Sequence, residues 1–117
     1  MKVLVQGSKE FDDYSVFMRA MSVALSSLGD DTTFEVWAVG PKRTNRLVLE
    51  FMNVSEEGMA NRGIDARVYF PALSWPDTHM KTVDYFIYLS NPGERGTRLL
   101  ALAERYNVES AHFNYGY

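Results

Sequence analysis

The 117-residue chain contains no cysteine. That excludes a disulfide framework, a thiolate metal site and a cysteine nucleophile, and it fits a reducing, cytoplasmic setting. Histidine is nearly as scarce. His79 and His112 lie far apart and in no metal-ligand spacing, so no metal is expected. No apolar run approaches the length of a membrane span. The opening Val3-Leu4-Val5 is too short for a secretory leader and reads as a strand. A basic surplus is also missing, since twelve Lys and Arg stand against fifteen Asp and Glu, a formal charge of -3. A broad duplex-binding face needs such a surplus to neutralise phosphates, so nucleic acid is not an expected partner. No linker, repeat or low-complexity tract interrupts a length that suits a single domain over residues 1–117.

What is present is strongly patterned. Hydrophobic residues make up 46% and charged residues 23%, values that exclude wholesale disorder. Residues 3–6 form a β-branched run that ends at Gly7-Ser8. Asp12 is placed to cap a helix whose stripe is Tyr14, Phe17, Met18, Met21, Leu25 and Leu28, stopped by Gly29. The methionines of that stripe are core residues, and the acidic pairs Asp12-Asp13 and Asp30-Asp31 serve as caps or solvated turns. Residues 32–39 predict a second strand ending at Gly40. Thr44 caps a second helix carrying Leu47, Val48, Phe51, Met52 and Val54. Ser55-Glu56-Glu57-Gly58 breaks the pattern and opens an additional short helix ending at Gly63. Residues 66–70 predict a third strand, residues 71–82 a loop, and residues 83–90 a fourth strand. Asn91-Pro92-Gly93 turns the chain, and Thr97 caps a helix with Leu99, Leu100, Leu102, Ala103 and Tyr106 inward. Residues 111–115 predict a last strand, with His112 as an ordinary packed or edge histidine. The terminal His112-Phe113-Asn114-Tyr115-Gly116-Tyr117 is aromatic-rich and suits either a self-associating sheet edge or packing on the domain.

Strands alternating with helices require crossovers. The expected fold is therefore α/β, a Rossmann-like three-layer sandwich. Its sheet is mostly parallel and five-stranded, in order 3-2-1-4-5, with helices on both faces. Ligands of such sheets bind beyond the carboxyl ends of the strands, where the order reverses. The loops that meet there are Gly7-Ser8-Lys9-Glu10, Gly40-Pro41-Lys42-Arg43-Thr44-Asn45-Arg46 and Asn91-Pro92-Gly93-Glu94-Arg95-Gly96-Thr97. Six of the twelve basic residues (Lys9, Lys42, Arg43, Arg46, Arg95, Arg98) lie in or just after them. Glycines let backbone approach a ligand, and helix N-termini attract anions. A small phosphorylated molecule is the ligand that this composition suits.

The same residues carry a family resemblance. Val3-Leu4-Val5-Gln6-Gly7-Ser8-Lys9-Glu10-Phe11 resembles the opening V-T-G-S-R-D-F of small standalone members of the SLOG superfamily. These are Rossmann-like domains related to lysine-decarboxylase-like phosphoribohydrolases, the DNA-processing protein and nucleotide sensors. Asp84-Tyr85-Phe86-Ile87-Tyr88-Leu89-Ser90-Asn91-Pro92-Gly93-Glu94-Arg95-Gly96-Thr97 is similar to their D-x-h-h-A-F-P-G-G-x-G-T. The segment from Leu100 to Val108, Phe70-Pro71-Ala72 and Trp75 continue the likeness in order. The departures are specific. Of the family's G-G-A-x-G-A-D-R loop only Gly40 and Arg46 match, with Asn45 at the aspartate position. Residues 55–61 are an insertion, and the family segment with a histidine and an Arg-Asn pair is missing between Trp75 and Val83. Leu100 stands where the phosphoribohydrolases place the glutamate of G-T-x-x-E. The resemblance implies a nucleotide-type pocket and a homodimer, and the Leu100 departure weighs against hydrolase chemistry.

Three readings follow. In the first, the chain senses or sequesters a nucleotide or nucleotide derivative, with no cofactor and no catalytic residue. Gly7, Ser8, Lys9, Gly40, Lys42, Arg43, Asn45, Asn91, Gly93, Arg95, Gly96 and Thr97 form that ligand site. The second is a nucleotide N-glycosidic or phosphoribosyl hydrolase, for which only Glu10 or Glu94 is placed to hold a carboxylate over the sugar. The third is a non-catalytic interaction module, of the sort viruses and mobile elements encode, that keeps the fold and binds a host protein.

Overall fold

Val3-Leu4-Val5 and Tyr85-Phe86-Ile87-Tyr88-Leu89 are strand-like runs without a polar residue, and both are buried throughout. A strand of this kind has to be covered on both faces, so it belongs in the middle of a parallel sheet. The computed structural model, which describes residues 1–91 and 98–114, places both there. Its sheet contains β1 (Lys2–Gly7), β2 (Thr33–Val39), β3 (Asp65–Tyr69), β4 (Tyr85–Ser90) and β5 (Glu109–Asn114). The order is β3-β2-β1-β4-β5 and every neighbour is parallel. Val3 pairs with Val36 on one side and Tyr85 on the other. The expected α/β architecture and strand order are thus both observed.

Helices α1 (Tyr14–Ser26) and α2 (Lys42–Asn61) cover one face. Phe17 and Met21 of α1 and Val48 and Phe51 of α2 close over Val3, Val5, Val36 and Ile87. The other face carries α3 (Trp75–His79), a 3-10 turn (Met80–Thr82) and α4 (Arg98–Arg105). There Met80, Leu99 and Ala103 pack on Leu4, Val39, Phe86 and Tyr88. The chain changes face between β3 and β4, which puts the switch point between β1 and β4.

Four local expectations are corrected. The cap of α1 is Asp13, whose carboxylate accepts from the Val16 amide at 3.0 Å, one residue beyond the predicted Asp12. The second helix begins at Lys42 with Pro41 as its N-cap, so Thr44 lies inside the first turn and does not cap it. That helix also runs unbroken through Gly58 to Asn61. Phe51, half-buried Ser55 and buried Met59 recur at four-residue spacing, and this stripe carries the helix past a glycine of poor intrinsic propensity. Finally, residues 71–82 are not simply loop. Trp75–His79 is a single helical turn with Pro76 near its start, a position proline tolerates because its missing N–H would be unsatisfied anyway.

Trp75 explains why so short a turn is held. Among the described residues, no long helix covers the β2–β3 part of the second face. A row of rings does so instead, with Trp37 stacked at 4.2 Å on Tyr69 and at 4.5 Å on Trp75, and Trp75 at 4.6 Å on His79. The Lys2 ammonium lies 5.2 Å from the Trp37 ring and 5.6 Å from the Trp75 ring. Each stacked pair contributes about 0.5–1.5 kcal/mol beyond the area it buries. The row thereby fastens the β3-to-β4 crossover to the sheet.

A continuous α2 has a measurable consequence. A side chain at Gly58 would meet nothing within 4 Å. Gly58→Ala should therefore stabilise the protein by about 0.5–1 kcal/mol through the unfolded-chain entropy it removes. A thermal midpoint that stays level or falls would mean that the helix is interrupted there.

Candidate functional site

The carboxyl ends of β1, β2 and β4 meet at one rim. The Ser8 amide donates to the Leu89 carbonyl at 2.8 Å and carries the β1–β4 pairing one residue past the strand. The chain then turns, with the Phe11 amide donating to the Ser8 carbonyl at 3.2 Å. Phe11 is fully buried, so the turn is anchored at both feet while Lys9 and Glu10 project from its tip. On the neighbouring strand, Gly40 has φ 124°, a conformation that L side chains rarely adopt. A Cβ on Gly40 would stand 3.2 Å from the Gly7 carbonyl oxygen. The Pro41 carbonyl accepts from the Thr44 amide at 3.0 Å, and this starts α2.

The first turn of α2 enters the rim very closely. A Cβ on Gly7 would collide with Thr44 Oγ1 and lie 3.3 Å from Thr44 Cβ. Thr44 is wholly buried. Its hydroxyl has no hydrogen-bond partner among the described residues, and neither do Ser8 Oγ and Asn45 Oδ1, which are also buried. The Tyr14 hydroxyl, at the start of α1, is the fourth such atom. Burial, with the Glu50 carboxylate as a second cause, pushes that phenol above its ordinary pKa. Buried polar atoms are nearly always bonded in folded proteins, so several at one rim mark a place where a partner belongs.

The charge there has the same sense. The first turn of α2 holds no acidic residue, and Pro41 has no side-chain group to cap it. Lys42 and Arg43 occupy that turn and Arg46 follows, all exposed. A helix N-terminus already carries about half a positive charge. Cations placed on it repel that charge, which is the reverse of what stability selects. Among the described residues one carboxylate answers them: Glu10 lies 3.8 Å from the Arg43 guanidinium. Among the described residues, Lys42 and Arg46 make no ion pair.

Gly7, Ser8, Lys9, Gly40, Lys42, Arg43 and Asn45 lie at the carboxyl ends of β1 and β2 and in the first turn of α2. Asn91 follows β4 on the same rim and is half-buried. Gly93, Arg95, Gly96 and Thr97 lie outside the described residues. Sequence reasoning missed the place of Thr44, because a threonine ahead of an apolar stripe looks like a cap. It also missed the hydrogen bond between Ser90 Oγ and His112 Nε2, 2.5 Å long, beside the Tyr88 ring. Those partners are 22 residues apart and meet only through the β4–β5 pairing. Ser90 is wholly buried, so the pair ties two strands and does not present a nucleophile.

Leu100 packs on the second core cluster, as its apolar character suggests. Glu104 lines a groove of about 630 Å³ with Leu100, Asn107 and Glu109. That groove opens beside the start of β5, at the opposite end of the sheet from the rim. No group of three or more His, Asp or Glu able to hold a metal occurs among the described residues, and no helix of theirs is long and apolar enough to cross a membrane.

Two outcomes test this geometry. Gly7→Ala should destabilise the fold by about 1–3 kcal/mol through overpacking, and Gly7→Ala combined with Thr44→Ala should regain much of that loss in chemical denaturation. Additive losses would show that the two residues do not share one space. Lys42→Glu should raise stability by about 0.5–1 kcal/mol, because an acid suits that end of a helix. A loss would mean that the lysine is already matched in the unliganded protein.

Comparison with protein-family models, curated proteins and solved structures returns no match to this chain.

Proposed function

We propose that the chain binds a small phosphorylated ligand of nucleotide type at the carboxyl ends of its strands, as a sensing or sequestering domain. One observation carries the reading. The first turn of α2 is basic and has no side-chain cap, and directly behind it stands the wholly buried Thr44, whose hydroxyl is without a partner among the described residues. Amide N–H groups of a first helical turn, hydroxyls and cations are together the donor set that a phosphate accepts from. Ser8 and Thr44 supply hydroxyl donors. Lys42, Arg43 and Arg46 supply charge. The resemblance of residues 3–11 to the SLOG opening supports the same ligand class. Leu100, in place of the family's glutamate, favours binding over turnover.

The test is thermal unfolding against nucleoside mono-, di- and triphosphates and inorganic phosphate. A ligand present at a hundred times its dissociation constant should add about 2.7 kcal/mol, a shift on the order of 10 °C for a domain of this size. The shift should vanish in a Lys42→Ala/Arg46→Ala double variant. Thr44→Val should separate binding from folding. A buried hydroxyl without a partner costs about 1–3 kcal/mol, so the unliganded midpoint should hold or rise while the ligand-induced shift is lost. No shift with any phosphate, or an equal shift in the double variant, would defeat the proposal.

A further inference from the structure

Among the described residues, the phosphate site just proposed contains one residue of the wrong sign, Glu10. Glu10 sits at the tip of the turn that follows β1, where the Ser8 carbonyl and buried Phe11 fix both of its ends. Its carboxylate reaches over the first turn of α2 to within 3.8 Å of Arg43. At that separation, and with both side chains about half exposed or more, the pair adds little to stability. A carboxylate in this place also opposes the anion that the rest of the site attracts. It can only accept hydrogen bonds, never donate them to phosphate oxygens. Its neighbour in a filled site has to be a group that donates.

We infer that Glu10 is a specificity-determining residue that accepts hydrogen bonds from the sugar hydroxyls of a ribonucleotide whose phosphate lies on the first turn of α2. The inference rests on that phosphate site. Arg43 fits both halves of the arrangement, because a guanidinium has five donors and can face a carboxylate and a phosphate together. Free phosphate or pyrophosphate would meet the same cations but would leave Glu10 facing anionic oxygen. Glu10 thereby lowers affinity for bare phosphates and raises it for phosphates that carry a diol.

The experiment is isothermal titration of the full chain and of Glu10→Gln. The probes are inorganic pyrophosphate, the four ribonucleoside diphosphates and their 2′,3′-dideoxy counterparts. In the native chain at least one ribonucleotide should bind more tightly than both its dideoxy form and pyrophosphate. Glu10→Gln should bind that ribonucleotide about tenfold or more weakly, the loss expected for a hydrogen bond to a charged group. It should bind pyrophosphate about two- to fivefold more tightly, as expected when one exposed like charge is removed. Its thermal midpoint without ligand should not move. If pyrophosphate binds but no ribonucleotide exceeds its dideoxy form, the phosphate site stands and the role of Glu10 falls. The role also falls if Glu10→Gln weakens both probes alike, since that is the mark of a merely structural residue. If neither pyrophosphate nor any nucleotide binds, the phosphate site itself fails and this inference fails with it.

Discussion

The contact on which the rest depends is the approach of the first turn of α2 to the end of β1. Two residues without side chains, Gly7 and Gly40, face each other across adjacent strands, and Thr44 fills the space they leave. A larger residue at position 7 would push the helix away from the sheet. The amide donors and cations of that turn would move outward with it. The close packing that seats α2 over β2 and β3 is thus the same packing that aims its N-terminus into the rim. The fold and the shape of the rim share one constraint here.

The energetics of this turn run against stability. Helix N-termini usually carry an acid or a capping hydroxyl. This one carries Lys42 and Arg43 behind a proline and keeps a hydroxyl buried without a partner among the described residues. A marginally stable domain, with roughly 5–15 kcal/mol in hand, tolerates a few such defects in one place when the surrounding core is sound. The core here is sound, with Phe17, Phe34, Phe51 and Phe86 almost wholly buried. Defects gathered at the carboxyl edge of a parallel sheet, and absent from its middle among the described residues, are the pattern expected when function opposes folding.

Most of the architecture was legible in the sequence, because the signals that set it are local and repeated. Apolar runs stop at Gly7 and Gly40, and striped helices follow them, so the alternation and the strand order could be read directly. What could not be read depended on distant partners. The five-residue α3 is too short to show a period and exists because Trp75 stacks on Trp37, 38 residues earlier. The predicted break at Gly58 was outweighed by Met59, whose burial against the sheet is a tertiary fact. At the rim, Gly7, Gly40, Lys42 and Arg43 could be placed from sequence alone. The burial of Thr44 could not, because a threonine at a helix start has the same local signature whether it caps or packs. Glu10 was legible as a carboxylate in the loop after β1, whereas its approach to Arg43 required the fold.

The ring row has a consequence for how this protein can be observed. The chain has two tryptophans, and they are the pair Trp37 and Trp75, face to face at 4.5 Å and near parallel at 13°. Two indoles so close and so aligned couple as one chromophore. The tryptophan emission of this protein therefore reports on a single place, the seam between β2 and the crossover to β4. Events at the rim, on the α1 and α2 side of the sheet, are out of view of that chromophore unless the crossover itself shifts.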